Sequence, residues 1–447
     1  MKTGKTACAS GLSWKSSVMW GMGMSEKEEL FTKVLLVGVD TGEEQDFEHS
    51  MEELSSLAEA AYKQVAGVIV QRMDRVNKAL YIGTGKVVEV KEYASQCGAE
   101  EIVFDNALAP SQVRNLGKEL ELPILDRTNL ILDIFARRAK TKEAKLQVEA
   151  ARLQYMLPRL VGMRENLSRQ GGTGGSMSNK GAGETKLELD RRKIEHRISE
   201  LKKELEQVSR TRGIMRKRRE QSRIPQVALV GYTNAGKSTI LNRLVERYGE
   251  GREKTVLEKD MLFATLDTSV RSIHTGDNKP FFLADTVGFI HKLPHGLVEA
   301  FHSTLEEVKY ADLIVHVADF SDGHHRQQIE VTENTLRELE AADIPRIMVY
   351  NKADKSEIQE LPRRRGDCLY MAAKAGCGLE ELLDLIKEKV YADFVDRCFL
   401  IPYDKGNISA YLMENAVVLE QEYRENGQYI RAKCHLQDAE KYKIYES

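Results

Sequence analysis

Gly231-Tyr232-Thr233-Asn234-Ala235-Gly236-Lys237-Ser238 sets two glycines either side of four residues, then a lysine and a hydroxyl side chain. The spacing GxxxxGKS suits polyphosphate chemistry. A turn of backbone N–H groups at a helix start can surround the phosphate charges, and glycine at 231 and 236 lets the backbone approach without a Cβ in the way. Lys237 is placed to reach the β- and γ-phosphates, and the Ser238 hydroxyl to ligate Mg2+. An apolar run, Gln226–Val230, precedes the motif and a helical segment, Thr239–Arg247, follows it. Strand, loop and helix are the setting this motif requires.

That motif alone does not separate ATP from GTP; the segments around and after it do. Asp285-Thr286-Val287-Gly288 follows the apolar run Phe281–Ala284; alone it is a weak signal, but behind a phosphate loop it is a strong one. Asp285 can hold Mg2+ through water, and the Gly288 N–H can bond the γ-phosphate. Asn351-Lys352-Ala353-Asp354 closes another apolar run, Arg346–Tyr350. The Asp354 carboxylate offers two acceptors to the N1–H and exocyclic amino group of guanine, a donor pair adenine lacks. Lys352 can lie along the base and Asn351 can brace the loop. After Leu369–Met371, the turn Ala372-Ala373-Lys374 can present a backbone N–H to guanine O6. Within Phe263-Ala264-Thr265-Leu266-Asp267, Thr265 is the candidate to ligate Mg2+ only when the γ-phosphate is present; Thr255 and Thr268 compete on position alone. The expected metal ligands are therefore Ser238, Thr265 and Asp285, and the expected catalytic set is Lys237, Thr265 and Gly288. Phe289 stands where many GTPases carry a glutamine that orients the attacking water. Phenylalanine cannot do that, so slow hydrolysis in the free protein is expected, with His291 as the competing candidate.

These segments need a sheet to hold them. Their order along the chain suits a doubly wound domain with ligands at the strands' carboxyl ends. Upstream, Val34–Val39, Val65–Val70 and Ile102–Phe104 read as strands, and Ser50–Tyr62 and Val87–Cys97 as helices, which implies βαβ units and a second parallel sheet. Gly83-Thr84-Gly85-Lys86 lacks phosphate-loop spacing and reads as an ordinary turn. A long helical pattern from Asp126 to Leu157 is expected to stop at Pro158. A second helix, Glu184–Arg212, carries Leu187, Ile194, Ile198, Leu201, Leu205 and Val208 at helical spacing. Two antiparallel helices joined by a glycine-rich tip around Gly171–Gly183 fit this pattern. The tip is either a flexible linker or a working surface. Arg210, Arg212, Arg216, Lys217, Arg218, Arg219 and Arg223 form a run suited either to solvent or to phosphate.

Composition bounds the rest. A chain of 447 residues suggests about three domains. With 42% hydrophobic and 30% charged residues it can fill real cores, and a formal net charge of −3 leaves any nucleic-acid binding to a local basic surface. Its longest apolar runs fall far short of the ~20 residues of a membrane span, so no stable membrane insertion is expected. The six cysteines form no CxxC pair, which suits a reducing cytoplasm. His324-His325 reads as a solvated helix start. Residues 1–30 read as a disordered extension, with Met24 a possible true start.

At this point the chain resembles the HflX ribosome-binding GTPases of the Obg-HflX group. The matching stretches are GYTNAGKST (Gly231–Thr239), FATLD (Phe263–Asp267), DTVGFI (Asp285–Ile290) and NKAD (Asn351–Asp354). Gly171–Arg192 looks like that family's glycine-rich loop, and Ile82–Val90 like part of its N-terminal domain. Two departures are visible: Thr268 stands where the family usually has proline, and Ala372 where it usually has serine. The second removes one support of the guanine-binding turn. The resemblance implies an α/β chain. Residues 1–30 are the extension, 31–135 an N-terminal α/β domain, and 136–223 a helical hairpin. Residues 224–390 form a P-loop GTPase domain with a mostly parallel sheet, and 391–447 a small α/β C-terminal domain. It further implies a protein, monomeric when free, that uses GTP/GDP and Mg2+ and binds the large ribosomal subunit and its rRNA. The family is associated with splitting or rescuing stalled ribosomes under stress, with the hairpin tip reaching towards the peptidyl transferase centre. A nucleotide-gated RNA-binding protein and a ribosome-assembly GTPase are the alternatives.

Overall fold

The computed structural model describes residues 31–42, 46–169, 179–221, 224–249, 262, 263, 266, 268–276, 279–292, 307–358 and 360–447. Its N-terminal α/β region runs β1 (Thr32–Asp40), α1 (Phe47–Ala60), β2 (Lys63–Arg72), α2 (Thr84–Cys97), β3 (Glu101–Phe104), α3 (Pro110–Leu120), β4 (Ile124–Asp126) and α4 (Arg127–Arg138). The strands pair parallel in the order β2-β1-β3-β4. Val34–Val39 of β1 is buried almost throughout, as a central parallel strand covered on both faces must be. Asp46 starts α1 by accepting the His49 N–H at 3.1 Å, which brings Leu54, Leu57 and Ala58 onto the sheet. Gly83-Thr84-Gly85-Lys86 is not a separate turn: Gly83 is the residue before α2, and the segment forms its first turn.

The helical reading needs two corrections. The expected continuous helix breaks at Ala139–Thr141 into α4 and α5 (Lys142–Arg169), because the Thr141 hydroxyl accepts the Ala144 N–H at 3.1 Å and starts a new helix. The boundary expected after Phe135 accordingly falls inside α4. Nor does Pro158 end the helix; it lies within α5. Arg159, the next residue, ties this stretch of α5 to the loop before α3, donating from Nη1 to the Tyr155 carbonyl at 2.9 Å and from Nη2 to the Leu108 carbonyl at 2.8 Å. The second hairpin helix, α6 (Asn179–Gln221), is longer than expected at 43 residues. That length corresponds to about 65 Å. Leu201 packs on Leu146 and Ala150 of α5, and Arg197 and Arg212 pair with Glu149 and Glu143. Residues 170–178, most of the glycine-rich tip, lie outside the described residues.

The P-loop GTPase domain follows as β5 (Gln226–Gly231), α7 (Lys237–Tyr248), β6 (Ser269–Ile273), β7 (Phe281–Asp285), β8 (Leu313–Asp319), α8 (His325–Glu338), β9 (Arg346–Asn351), β10 (Arg363–Arg365), β11 (Cys368–Tyr370) and α9 (Leu379–Val390). Sheet order is β10-β11-β9-β8-β5-β7-β6, with antiparallel pairing only at the edge strands β10 and β6. His324-His325 is not simply a solvated start to α8. His324 stacks on His49 of α1 at 4.1 Å and sets Nε2 2.5 Å from Asp46. The small C-terminal domain is β12 (Phe394–Ile401), α10 (Gly406–Asn415), β13 (Val417–Arg424), β14 (Gly427–His435) and α11 (Leu436–Lys441), an antiparallel sheet in the order β12-β14-β13. Among the described residues, no helix is long and apolar enough to cross a membrane.

Candidate nucleotide-binding site

Strands β5 and β7 are neighbours and β9 lies one strand away beyond β8, and the last residues of all three carry the predicted chemistry. Gly231 has φ 147°, and a Cβ there would lie 2.0 Å from the Val317 carbonyl of β8; at Gly236, φ 95°, a Cβ would lie 2.2 Å from Asn351 Nδ2. Only glycine fits either place. Asn351 ties three predicted segments together. Its Nδ2 donates to the Ala235 carbonyl at 2.9 Å, and its Oδ1 accepts the Ala373 N–H at 3.0 Å. The brace assigned to Asn351 from sequence is thus a direct bridge between the phosphate loop and the Ala372–Lys374 turn.

Lys237 is buried and folds back on the loop, its Nζ donating to the carbonyls of Gly231 at 3.0 Å and Tyr232 at 2.8 Å. Burial lowers its amine to about 8 despite the opposing pull of Asp285. Ser238 Oγ donates to Asp285 Oδ2 at 2.7 Å, and Asp285 is fully buried. A hydroxyl and a carboxylate side by side are the hard oxygen donors Mg2+ takes, so Ser238 and Asp285 fit the expected metal. Ala264, Thr265 and Asp267 lie outside the described residues.

At the guanine end, Lys352 adopts the left-handed conformation (φ 58°) and donates to Asp319 Oδ2 at 2.8 Å. Asp319, at the end of β8, carried no sequence signal. Asp354 stands exposed in the short 3-10 helix Ala353–Lys355. The Ala372 N–H donates to the Cys377 carbonyl at 3.1 Å and keeps the turn closed.

The Asp285–Gly288 segment is pinned to the phosphate loop. The Thr233 N–H donates to the Phe289 carbonyl at 2.8 Å, the Phe289 N–H to the Gly231 carbonyl at 3.2 Å, and Thr286 Oγ1 to the Leu229 carbonyl at 2.7 Å. The side chains of Tyr232, Phe263, Leu266 and Val287 do not line the phosphate loop. They share a core with Leu132 and Phe135 of α4 and Val148 of α5, with Phe263 edge-on to Phe135 at 4.7 Å. These residues anchor the loops, leaving backbone groups to meet a nucleotide. Glu53 and Arg127, buried against Tyr232 and His291, and Asp105, paired with Arg127 and Lys292, escaped sequence reading because nothing in their spacing links them.

Three family models match in chain order: "GTP-binding GTPase N-terminal" over residues 48–136, "GTP-binding GTPase Middle Region" over 138–219 and "50S ribosome-binding GTPase" over 226–352. The chain is 43% identical over 408 residues to GTPase HflX of Caldanaerobacter subterraneus subsp. tengcongensis, covering 91% of this chain and 92% of that relative. It is 36% identical over 409 residues to GTPase HflX of Escherichia coli, covering 90% and 93%. A solved GTP-binding protein from Sulfolobus solfataricus, in complex with GDP, aligns with a TM-score of 0.42 and 26% identity over 80% of this chain and 99% of that one.

Proposed function

From the premise that the chain belongs to the HflX family of GTPases and is itself a GTPase, we propose that it binds the large ribosomal subunit in its GTP state and dissociates or rescues stalled ribosomes. Lys237 and the loop N–H groups hold the phosphates. Ser238, Asp285 and Thr265 would hold Mg2+, which would supply positive charge against the phosphates during transfer. Gly288 senses the γ-phosphate, and Asp354, Lys352 and the Ala372–Lys374 turn read guanine.

The observation that carries this reading is the match to a ribosome-binding GTPase model over residues 226–352, which include the phosphate loop, Asp285–Gly288 and Asn351. The long α5–α6 pair adds support, since a helix of 43 residues can carry a tip far from the nucleotide. Co-sedimentation with separated subunits tests the proposal. Binding to the large subunit is expected with a non-hydrolysable GTP analogue and weakened with GDP; equal binding in both states rejects it. Splitting with that analogue at the GTP rate over repeated rounds would favour a binding protein whose hydrolysis is incidental.

Replacing Gly171–Gly183 with a short neutral linker is expected to leave GTP affinity intact and abolish activity on ribosomes. Titration and a subunit-dissociation assay check this, and a tip-less protein working at the parental rate would end the idea. Neutralising Arg216, Lys217, Arg218 and Arg219 is expected to flatten the salt dependence of ribosome binding, because fewer counterions are released per contact.

A further inference from the structure

A buried polar relay joins the phosphate loop to the N-terminal α/β region. Arg127 opens α4 and is 1% exposed. Its Nη2 donates to Asp105 Oδ1 at 2.5 Å and to the Ser50 carbonyl at 2.9 Å, while Nη1 donates to Glu53 Oε2 at 2.6 Å. The other Glu53 oxygen accepts from the Tyr232 hydroxyl. That hydroxyl in turn accepts the His291 N–H at 2.7 Å, and the His291 carbonyl accepts from Arg127 Nη1 at 3.4 Å. Lys292, held at φ 57°, donates to Asp105 Oδ2 at 2.5 Å and to Ser50 Oγ at 3.0 Å.

The set balances two carboxylates against two cations, the condition under which buried charge is tolerated. Burial raises the Asp105 carboxyl, but Arg127 and Lys292 outweigh it and hold the group below the usual carboxylate range. Burial and the Glu53 charge drive the Tyr232 phenol well up, so it stays protonated and remains a donor.

Position gives the relay its meaning. Tyr232 is the second residue of the phosphate loop, and its carbonyl accepts from Lys237 Nζ. His291 and Lys292 follow directly on the Asp285–Ile290 stretch. A phenylalanine at 232 would fill the same apolar core; only the hydroxyl explains a tyrosine there. Packed, fully hydrogen-bonded elements of this kind shift between discrete arrangements rather than deforming smoothly.

We propose that Tyr232 is a positioning residue that couples the phosphate loop to the N-terminal region, its hydroxyl tying the segment that follows Gly288 to Glu53 and Arg127. The phosphate end of the nucleotide and the N-terminal region then act on one shared element, and by linkage each changes the other's equilibrium. The inference rests on the nucleotide-site reading above.

Amide hydrogen exchange on the full chain, with GDP and with a non-hydrolysable GTP analogue, tests it. In the parent, exchanging GDP for the analogue should alter exchange in residues 286–292 and also in 47–60 and 127–138. In Tyr232→Phe the response in 47–60 and 127–138 should vanish, and peptides containing His291 should exchange about tenfold faster even without nucleotide. Glu53→Met, which breaks the relay from the far side, should lose the same response and, by the same linkage, change the ratio of analogue to GDP affinity. Transmission by Tyr232→Phe at the parental level, or no parental response in the N-terminal peptides, overturns the proposal. A parent that binds neither nucleotide would instead overturn the site assignment, and this inference with it.

Discussion

Asp354→Asn is expected to weaken GTP binding by about 2–4 kcal/mol, from two charge-assisted hydrogen bonds at roughly 1.5–3 each less partial compensation. At about 1.4 kcal/mol per decade this is roughly a 30- to 700-fold loss. The local structure supports a clean reading. Asp354 is exposed, whereas the neighbouring Asn351 is buried and holds the phosphate loop to the Ala372–Lys374 turn. The substitution therefore removes a ligand contact without touching the brace. Xanthosine triphosphate, which presents an oxygen where guanine has its amino group, should recover part of the loss in the variant. Calorimetric titration of both nucleotides with both proteins measures this. Equal GTP affinity in parent and variant would reject Asp354 as the base reader.

The contrast between Asn351 and Arg127 shows what sequence reading reaches. Gly231–Ser238, Asp285–Gly288 and Asn351–Asp354 were legible because each combines local spacing with a strand before it, and parallel strands bring such ends together. The relay was not legible. Glu53, Arg127 and Tyr232 come from three elements far apart in sequence, and each reads locally as an ordinary polar residue of a helix or loop. Phe263 and Leu266 illustrate a related limit: their motif marks a switch segment, but only the packing shows their side chains buried against α4 and α5. Helix ends failed through competing local signals. Pro158 is a strong breaker on its own, yet α5 runs through it, while Thr141, a modest capping residue, makes the real break. His324 shows the same limit at a surface, since its partners His49 and Asp46 belong to the other α/β region.

Single-turnover GTP hydrolysis is expected to be slow in the free protein and to rise about a hundredfold or more with large ribosomal subunits, a barrier change of about 2.7 kcal/mol. The argument turns on Phe289. Its ring is 2% exposed and packs with Val230, Val308, Ile314 and Leu336, while its N–H and carbonyl are both bonded to the phosphate loop. The position where many GTPases orient water is thus filled by a side chain directed into the core, with no donor or acceptor to offer. Phe289→Gln tests this directly. It places a carboxamide in an apolar cluster, so it should lower the melting temperature without accelerating hydrolysis in the free protein. Phe289→Ala should cost about 3–5 kcal/mol of stability, as expected for removing a buried aromatic ring. Neither variant should reproduce the effect of the ribosome, because what is missing is a group or an ordered loop supplied on contact. His291, whose N–H and carbonyl are held by Tyr232 and Arg127, is the competing candidate for that role. A free parent already as fast as the ribosome-bound form, or a Phe289→Gln protein that hydrolyses GTP at the stimulated rate alone, would show that activation by the partner is wrong.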